Sequence, residues 1–245
     1  RVLACSPFIA DLCRRRPELL LDLFQSAQLQ ESLAESTFRE ELQRQLRGGD
    51  CELGVVLRRY RQRHMLRIVW RDFTRLADTL ETVRDTSLLA EACIAEALDY
   101  SQAALEQRFG VPMGRDSGEP QRLIVLAMGK LGARELNVSS DIDLIFAFPE
   151  AGETDSGSRH ISNDEFFTKV GQAVINALDQ VTAEGFVFRV DTRLRPFGDS
   201  GPPALSVAAL ENYLLQHGRS WERYAYGQAR RITPRDAELE RERVW

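Results

Sequence analysis

Residues 123–148 read LIVLAMGKLGARELNVSSDIDLIFAF, with Asp141 and Asp143 two positions apart where an apolar run begins. On a strand, side chains alternate between faces, so Asp141 and Asp143 share one face while Ile142 and Leu144 take the other. Two neighbouring carboxylates repel each other unless a cation lies between them, and hard divalent cations such as Mg²⁺ bind oxygen ligands of this type. A third carboxylate stands in GFVFRVDTRLRPFGDSG (residues 185–201), where the apolar run 186–190 meets Asp191. The same alternation predicts that Asp191, Arg193 and Arg195 share a face, setting a metal ligand beside two bidentate phosphate donors. With two metals about 4 Å apart, one activates an attacking oxygen and the other stabilises a leaving oxygen in an in-line displacement at phosphorus. Three clustered aspartates are what that geometry demands.

The elements that must position them follow from periodicity. Residues 123–127 and 141–148 read as strands, and the connection between them carries Gly129 and Gly132. Residues 186–193 read as a third strand, 163–182 as a helix and 149–162 as a polar loop. Helices are expected at 206–216 and 219–230. Upstream the chain reads helical: Phe38, Leu42 and Leu46, and then Leu66, Val69, Phe73, Leu76 and Leu80, recur at three and four residues and predict amphipathic faces for a bundle. Arg67, Arg71 and Arg75 fall on the other side of that helix and read as a solvated basic stripe. The pattern continues through 88–98 and 105–109, with Ser87 in a capping region. Residues 110–120, GVPMGRDSGEP, read as a hinge. The expected organisation is therefore an α-helical region over 1–118, a catalytic core over 119–205 and the start of a helical region over 206–245.

Composition bounds the rest. Length of 245, a hydrophobic fraction of 43% and a net charge of −5 fit a core-forming chain and argue against a nonspecific polyanion binder, so no nucleic-acid partner is expected. Cys5, Cys13, Cys51 and Cys93 lack metal-ligand spacing and read as reduced, cytoplasmic thiols. His64, His160 and His217 show no mutual spacing for ligation or catalysis. No apolar run is long enough to span a membrane, and no secretory leader pattern opens the chain. The chain starts at Arg1 and ends at Trp245 in an Arg/Glu-rich stretch, as expected of a piece cut from a longer protein.

Gly129, the Asp141-Ile142-Asp143 triplet and the later Asp191 resemble the DNA polymerase β-like nucleotidyltransferase superfamily. MGKLGARELNVSSDIDLIF (128–146), GFVFRVDTRLRPFGDSGP (185–202) and GRSWERYAYGQAR (218–230) resemble more closely the bifunctional glutamine synthetase adenylyltransferase/adenylyl-removing family. Within it, the wording NVSSDID, FRVD and PFGDSGP resembles the amino-terminal, AMP-removing half. The carboxy-terminal half tends towards a Gly-Ser-Asp-Leu-Asp style motif. Two departures stand out: Ala133-Arg134 replaces two usual glycines, implying a stiffer turn, and Gln228 stands where a lysine is expected.

The resemblance implies an α+β fold, a polymerase β-like nucleotidyltransferase domain with a small mixed sheet preceded by a helical bundle and followed by helices. It implies phosphorolysis: orthophosphate attacks the α-phosphorus of adenylyl-tyrosine on glutamine synthetase, giving ADP and free tyrosine. Asp141, Asp143 and Asp191 would be the catalytic carboxylates and would hold two Mg²⁺ or Mn²⁺ ions, with Asp191 also the candidate general base. Gly129, Lys130, Ser139 and Ser140 would hold phosphate oxygens of AMP, ADP or ATP, and Arg193 and Arg195 would stabilise developing charge. Trp221 and Tyr224 are expected to pack in the interior. The implied partners are glutamine synthetase as protein substrate, the PII signal protein and a second nucleotidyltransferase half in the same long chain. Two alternatives share the site: transfer of AMP from ATP to glutamine synthetase, and a regulatory module that binds nucleotide or PII without turnover.

Overall fold

The computed structural model describes residues 2–48, 52–155 and 160–232. Short helices α1 (Val2–Cys5), α2 (Pro7–Arg15) and α3 (Pro17–Gln25) lead into α4 (Glu35–Arg47), α5 (Leu53–Thr74) and α6 (Thr79–Phe109). Helix starts follow local chemistry. Ser6 accepts from the Ile9 amide at 3.3 Å with Pro7 next in the chain, and Asp78 accepts from the Glu81 amide at 2.8 Å. Helix α5 stops where Arg75 enters the left-handed region at φ 61°, and α6 stops at Gly110 with φ 87°.

Several expectations need correction here. The apolar series on α5 holds at Leu66 and Val69, but Phe73 in the last turn of α5 is exposed, and so are Leu76 and Leu80 beyond the break at Arg75. Arg67 and Arg71 do not form a solvated stripe. They are only 2% and 3% exposed. Arg67 donates to Asp85 at 2.9 Å and to the Gln28 carbonyl at 2.8 Å, while Arg71 donates to Glu81 and the Leu29 carbonyl. These guanidiniums satisfy the carbonyls of a connection between α3 and α4 that has no strand or helix partner. Ser87 caps nothing: it lies inside the 31-residue α6, where its hydroxyl accepts from the Leu136 amide at 3.1 Å.

The 110–120 segment is not a bare hinge. It contains β1 (Pro112–Gly114), paired antiparallel with β4 (Gly152–Thr154) from the stretch expected to be loop. Between them come β2 (Ile124–Ala127), a single-turn α7 (Gly129–Gly132) and β3 (Ile142–Phe148). Helix α8 (Asn163–Asp179), capped by Ser162, is followed by β5 (Val190–Asp191), β6 (Ala204–Ser206), α9 (Val207–Gln216), α10 (Ser220–Gly227) and β7 (Arg230–Arg231). The strand expected over 186–193 is thus only two residues long. Val187 and Phe188 instead donate their amides to the Leu178 carbonyl at the end of α8. The helix expected over 219–230 ends at Gly227, and Arg230 and Arg231 join the sheet.

The main sheet runs β5-β3-β2-β7, and β6 also pairs with β3. Strand β3 is antiparallel to β2 along 144–147 and parallel to β5 at its start and β6 at its end. Its two faces are covered differently. Ile142, Leu144, Phe146 and Phe148 enter one core with Phe38, Leu42, Leu57 and Leu89 from the helices and Phe166 and Val170 from α8. Ile145 and Ala147 pack on the other face with Met128, Leu210, Tyr213 and Tyr226. Period-two alternation therefore assigns Asp141 and Asp143 to the second face, at its uncovered end. Trp221 and Tyr224 on α10 are exposed, contrary to the packing expected of them. Cys5, Cys13 and Cys93 are free thiols; Cys51 lies outside the described residues. No helix among the described residues is long and apolar enough to cross a membrane.

Candidate active site

Strand β3 carries Asp143, and the parallel partner β5 carries Asp191 directly across from it in register. Parallel neighbours in register point their side chains to the same face, so two segments 48 positions apart in sequence contribute adjacent carboxylates. Asp141 adds a third at the entry to β3. Their mutual influence is visible in Asp143, whose carboxyl is raised above the usual carboxylate range by burial, then by the charges of Asp191 and Asp141. Lys130 and Arg193 act in the opposite sense.

Gly129 makes room for this carboxylate. It sits at φ 53°, and a Cβ at that position would stand 2.7 Å from Asp143 Oδ2. The Met128 amide donates to the Asp143 carbonyl at 2.9 Å, fixing the turn over the strand entrance. Gly132 is equally constrained, since a Cβ would meet the Ala127 carbonyl oxygen at 2.8 Å. Where two glycines were expected, Arg134 takes a left-handed φ of 59° and is held by Glu35 and Glu91. The turn is thereby pinned to α4 and α6. Gln228 donates to the Tyr224 hydroxyl at 2.9 Å.

Arginines occupy the remaining acidic oxygens. Arg189 donates its Nε to Asp141 and its Nη2 to the Ser139 carbonyl at 2.7 Å. Arg193 grips Asp191 with its backbone amide at 2.8 Å and its guanidinium, and these contacts hold the Asp191 carboxyl below its ordinary range. A carboxylate kept ionised in this way is a weak proton acceptor, so a base role for Asp191 requires Arg193 to leave it. Arg195 does not share their face. The chain turns at Thr192, whose carbonyl accepts from the Arg195 amide at 3.1 Å, and the Arg195 guanidinium clamps the 192–201 loop through Thr192, Gly201 and Asp199. Arg193 meets Asp191 as expected, whereas Arg195 does not join them, because the strand ends at Asp191 and the chain turns at Thr192.

The groove beside these groups has a volume of about 400 Å³ and is lined by Asp141, Asp191, Arg189, Arg193, Asp179 and Asp199. Lys130 reaches Ser140 Oγ at 3.5 Å, while Ser139 is exposed and presents its carbonyl to Arg189. Arg189 was legible only as part of the FRVD wording, with no role; its placement one residue before β5 is the signal that it faces Asp141.

The donor set suits a hard divalent cation: three carboxylates, all oxygen, with Asp143 burdened by its neighbours' charge. Among the described residues no three acidic, His or Cys side chains converge tightly enough to enclose an ion as they stand. Asp141 and Asp191 are turned towards Arg189 and Arg193, so enclosing a cation requires both to exchange those partners.

Comparison with known proteins narrows the chemistry. The family model described as glutamate-ammonia ligase adenylyltransferase matches residues 1–243. The bifunctional glutamine synthetase adenylyltransferase/adenylyl-removing enzyme of Pseudomonas aeruginosa is 53% identical over 234 residues, covering 94% of this chain and 24% of that protein. Proteins of the same description from Hahella chejuensis and Shewanella oneidensis are 52% and 45% identical over 234 and 244 residues, each covering 95% of this chain and 24% of their own length. The chain thus spans about a quarter of the length of the curated relatives it matches.

Proposed function

The chain belongs to the glutamate-ammonia ligase adenylyltransferase family, and from that premise we propose that it carries the adenylyl-removing site of a bifunctional enzyme, built on a polymerase β-like nucleotidyltransferase core. Glutamate-ammonia ligase is glutamine synthetase, so the substrate is an adenylylated tyrosine on that protein. Orthophosphate oxygen bonds to the α-phosphorus, the bond from phosphorus to the tyrosine oxygen breaks, and ADP and free tyrosine result. The observation that supports this reading most is the in-register placement of Asp143 beside Asp191, with Asp141 near enough for its charge to act on Asp143.

In this reading Asp141, Asp143 and Asp191 hold Mg²⁺ or Mn²⁺, which when bound neutralises charge on the phosphoryl oxygens. Lys130, beside Ser140 and within the electrostatic reach of Asp143, orients the AMP phosphate. The Gly129 turn brings backbone close to that phosphate without a side chain in the way. Arg189 and Arg193 keep the carboxylates apart until substrate and cation arrive, and Arg193 is then placed to meet developing negative charge. The removal direction rests on the NVSSDID and PFGDSGP wording. Incubation with adenylylated glutamine synthetase, phosphate and Mg²⁺ should release ADP, whereas unmodified glutamine synthetase with ATP should acquire no AMP. AMP incorporation without ADP release would reverse the direction, and tight nucleotide binding without either product would replace catalysis by a binding role.

A further inference from the structure

A second cavity, of about 480 Å³, lies between α2, α5 and the 184–189 segment, on the helical side of the acidic site. Most of its wall is apolar, with Phe8, Leu12, Val69, Phe73, Val138 and Phe186 among the lining residues. Arg61 of α5 also lines it. Arg61 is 8% exposed, its Nε is buried without a hydrogen-bond partner, and among the described residues it makes no salt bridge. Its guanidinium carbon lies 5.7, 5.1 and 5.4 Å from the ring centres of Phe8, Phe186 and Phe188. Aromatic faces attract a cation but do not satisfy its N–H groups, and a buried guanidinium without an acceptor is costly.

The other charges on the cavity wall are accounted for. Arg15 is paired with Asp11, Arg189 with Asp141, and Glu184 with Arg16 and Arg59. Asp72 accepts from Thr82 at 3.3 Å and stands eleven residues from Arg61 on α5, about 16 Å along the helix axis. The Arg61 end of the cavity therefore carries an uncompensated positive charge. Arg189 lies 5.8 Å from the same Phe186 ring but is held by Asp141, so Arg61 is the cation left without an acceptor there. Burial, the larger cause, draws the Arg61 pKa down to about 10, so it stays a cation at neutral pH.

From this arrangement we infer that the cavity is a binding site for a small monocarboxylate with an apolar body, its carboxylate bridging the Arg61 guanidinium and its hydrocarbon lying against Phe8, Leu12 and Val69. A single charge matches one unpaired guanidinium, whereas a phosphate monoester, close to two negative charges, would need a second cation that Arg189 does not spare from Asp141. The apolar walls account for the hydrocarbon. Arg189 lines both this cavity and the acidic groove, but the test reads binding and does not depend on turnover.

The test is calorimetric titration of the intact chain with 3-phenylpropionate, its neutral amide, acetate and inorganic phosphate. The expected result is saturable binding of 3-phenylpropionate, at least ten-fold weaker binding of the amide and of acetate, and no displacement by equimolar phosphate. Arg61→Met, which keeps the apolar stem, should weaken the acid at least ten-fold and leave the amide unchanged. Gln62→Glu, a half-buried wall change next to Arg61 that sets a carboxylate at that end of the cavity, should weaken the acid several-fold more than the amide and serves if Arg61→Met fails to fold. Equal affinity for acid and amide, absence of binding by 3-phenylpropionate, or displacement by equimolar phosphate would overturn the inference.

Discussion

Replacing Gly129 by alanine tests whether the turn exists to admit the Asp143 carboxylate. An L-residue in the left-handed region costs about 1–2 kcal/mol, and Gly129 sits there at φ 53°. Gly118 provides the matched control: its φ is 68°, yet a Cβ there meets nothing within 4 Å. Gly118→Ala should therefore lose only the backbone term, measured by denaturant unfolding. Gly129→Ala should lose a similar amount and, in addition, push the Asp143 carboxylate away, since the new methyl would stand 2.7 Å from Oδ2. That second effect is read by repeating both titrations with Mn²⁺ and AMP. At an ion concentration 100 times its dissociation constant, the parent chain gains about 2.7 kcal/mol, and a ten-fold weaker site gains only about 1.4 kcal/mol. Gly118→Ala should keep the full gain and Gly129→Ala the reduced one. Equal gains in the two variants would refute the idea that Gly129 serves Asp143.

Removing one partner of the buried Arg67–Asp85 pair, as in Asp85→Ala, should destabilise the fold by about 3–5 kcal/mol in urea unfolding; a loss under about 1 kcal/mol would mean the pair is solvated after all. His64 is wholly buried, neither ring nitrogen finds a hydrogen-bond partner although Glu41 lies 3.2 Å away, and burial holds its pKa below the ordinary value. The unfolded chain therefore binds the extra proton, so stability is full above about pH 6.5 and falls below it, by up to about 1.4 kcal/mol per pH unit. His64→Phe should flatten the difference between pH 7.5 and 5.5; an unchanged slope would assign it to other groups. Arg193→Gln removes the cation paired with Asp191 and should tighten Mn²⁺ binding several-fold, while weaker binding would show that Arg193 supports the ion rather than competing with it.

The sequence carried the positions of Asp141, Asp143 and Asp191 and the faces on which Ile142 and Leu144 fall, because alternation on a central strand is enforced by burial on both sides. It did not carry the end of β5. Nothing local distinguishes VDTR from a continuing strand; the break comes from the Thr192–Arg195 turn and from the Asp191–Arg193 contact. Arg67 and Arg71 were misread for a related reason. A stripe of arginines on one helix looks solvated until the carbonyls of 28–31 arrive from another part of the chain to accept their hydrogens. Likewise β1, β4, β6 and β7 are two or three residues long, too short for any period to show, and exist only because a neighbouring strand is already in place. Arg61 was invisible as a cavity residue, since its three aromatic neighbours come from α2 and from the 186–188 segment.

The most direct measurement is anomalous diffraction from crystals grown with Mn²⁺ and AMP. The account predicts manganese within coordination distance of the Asp143 and Asp191 carboxylates, about 2.0–2.2 Å away as for small octahedral dications, with Arg193 swung off Asp191. Manganese bound only elsewhere, or AMP seated with Asp191 still closed on Arg193 and no ion beside Asp143, would contradict it.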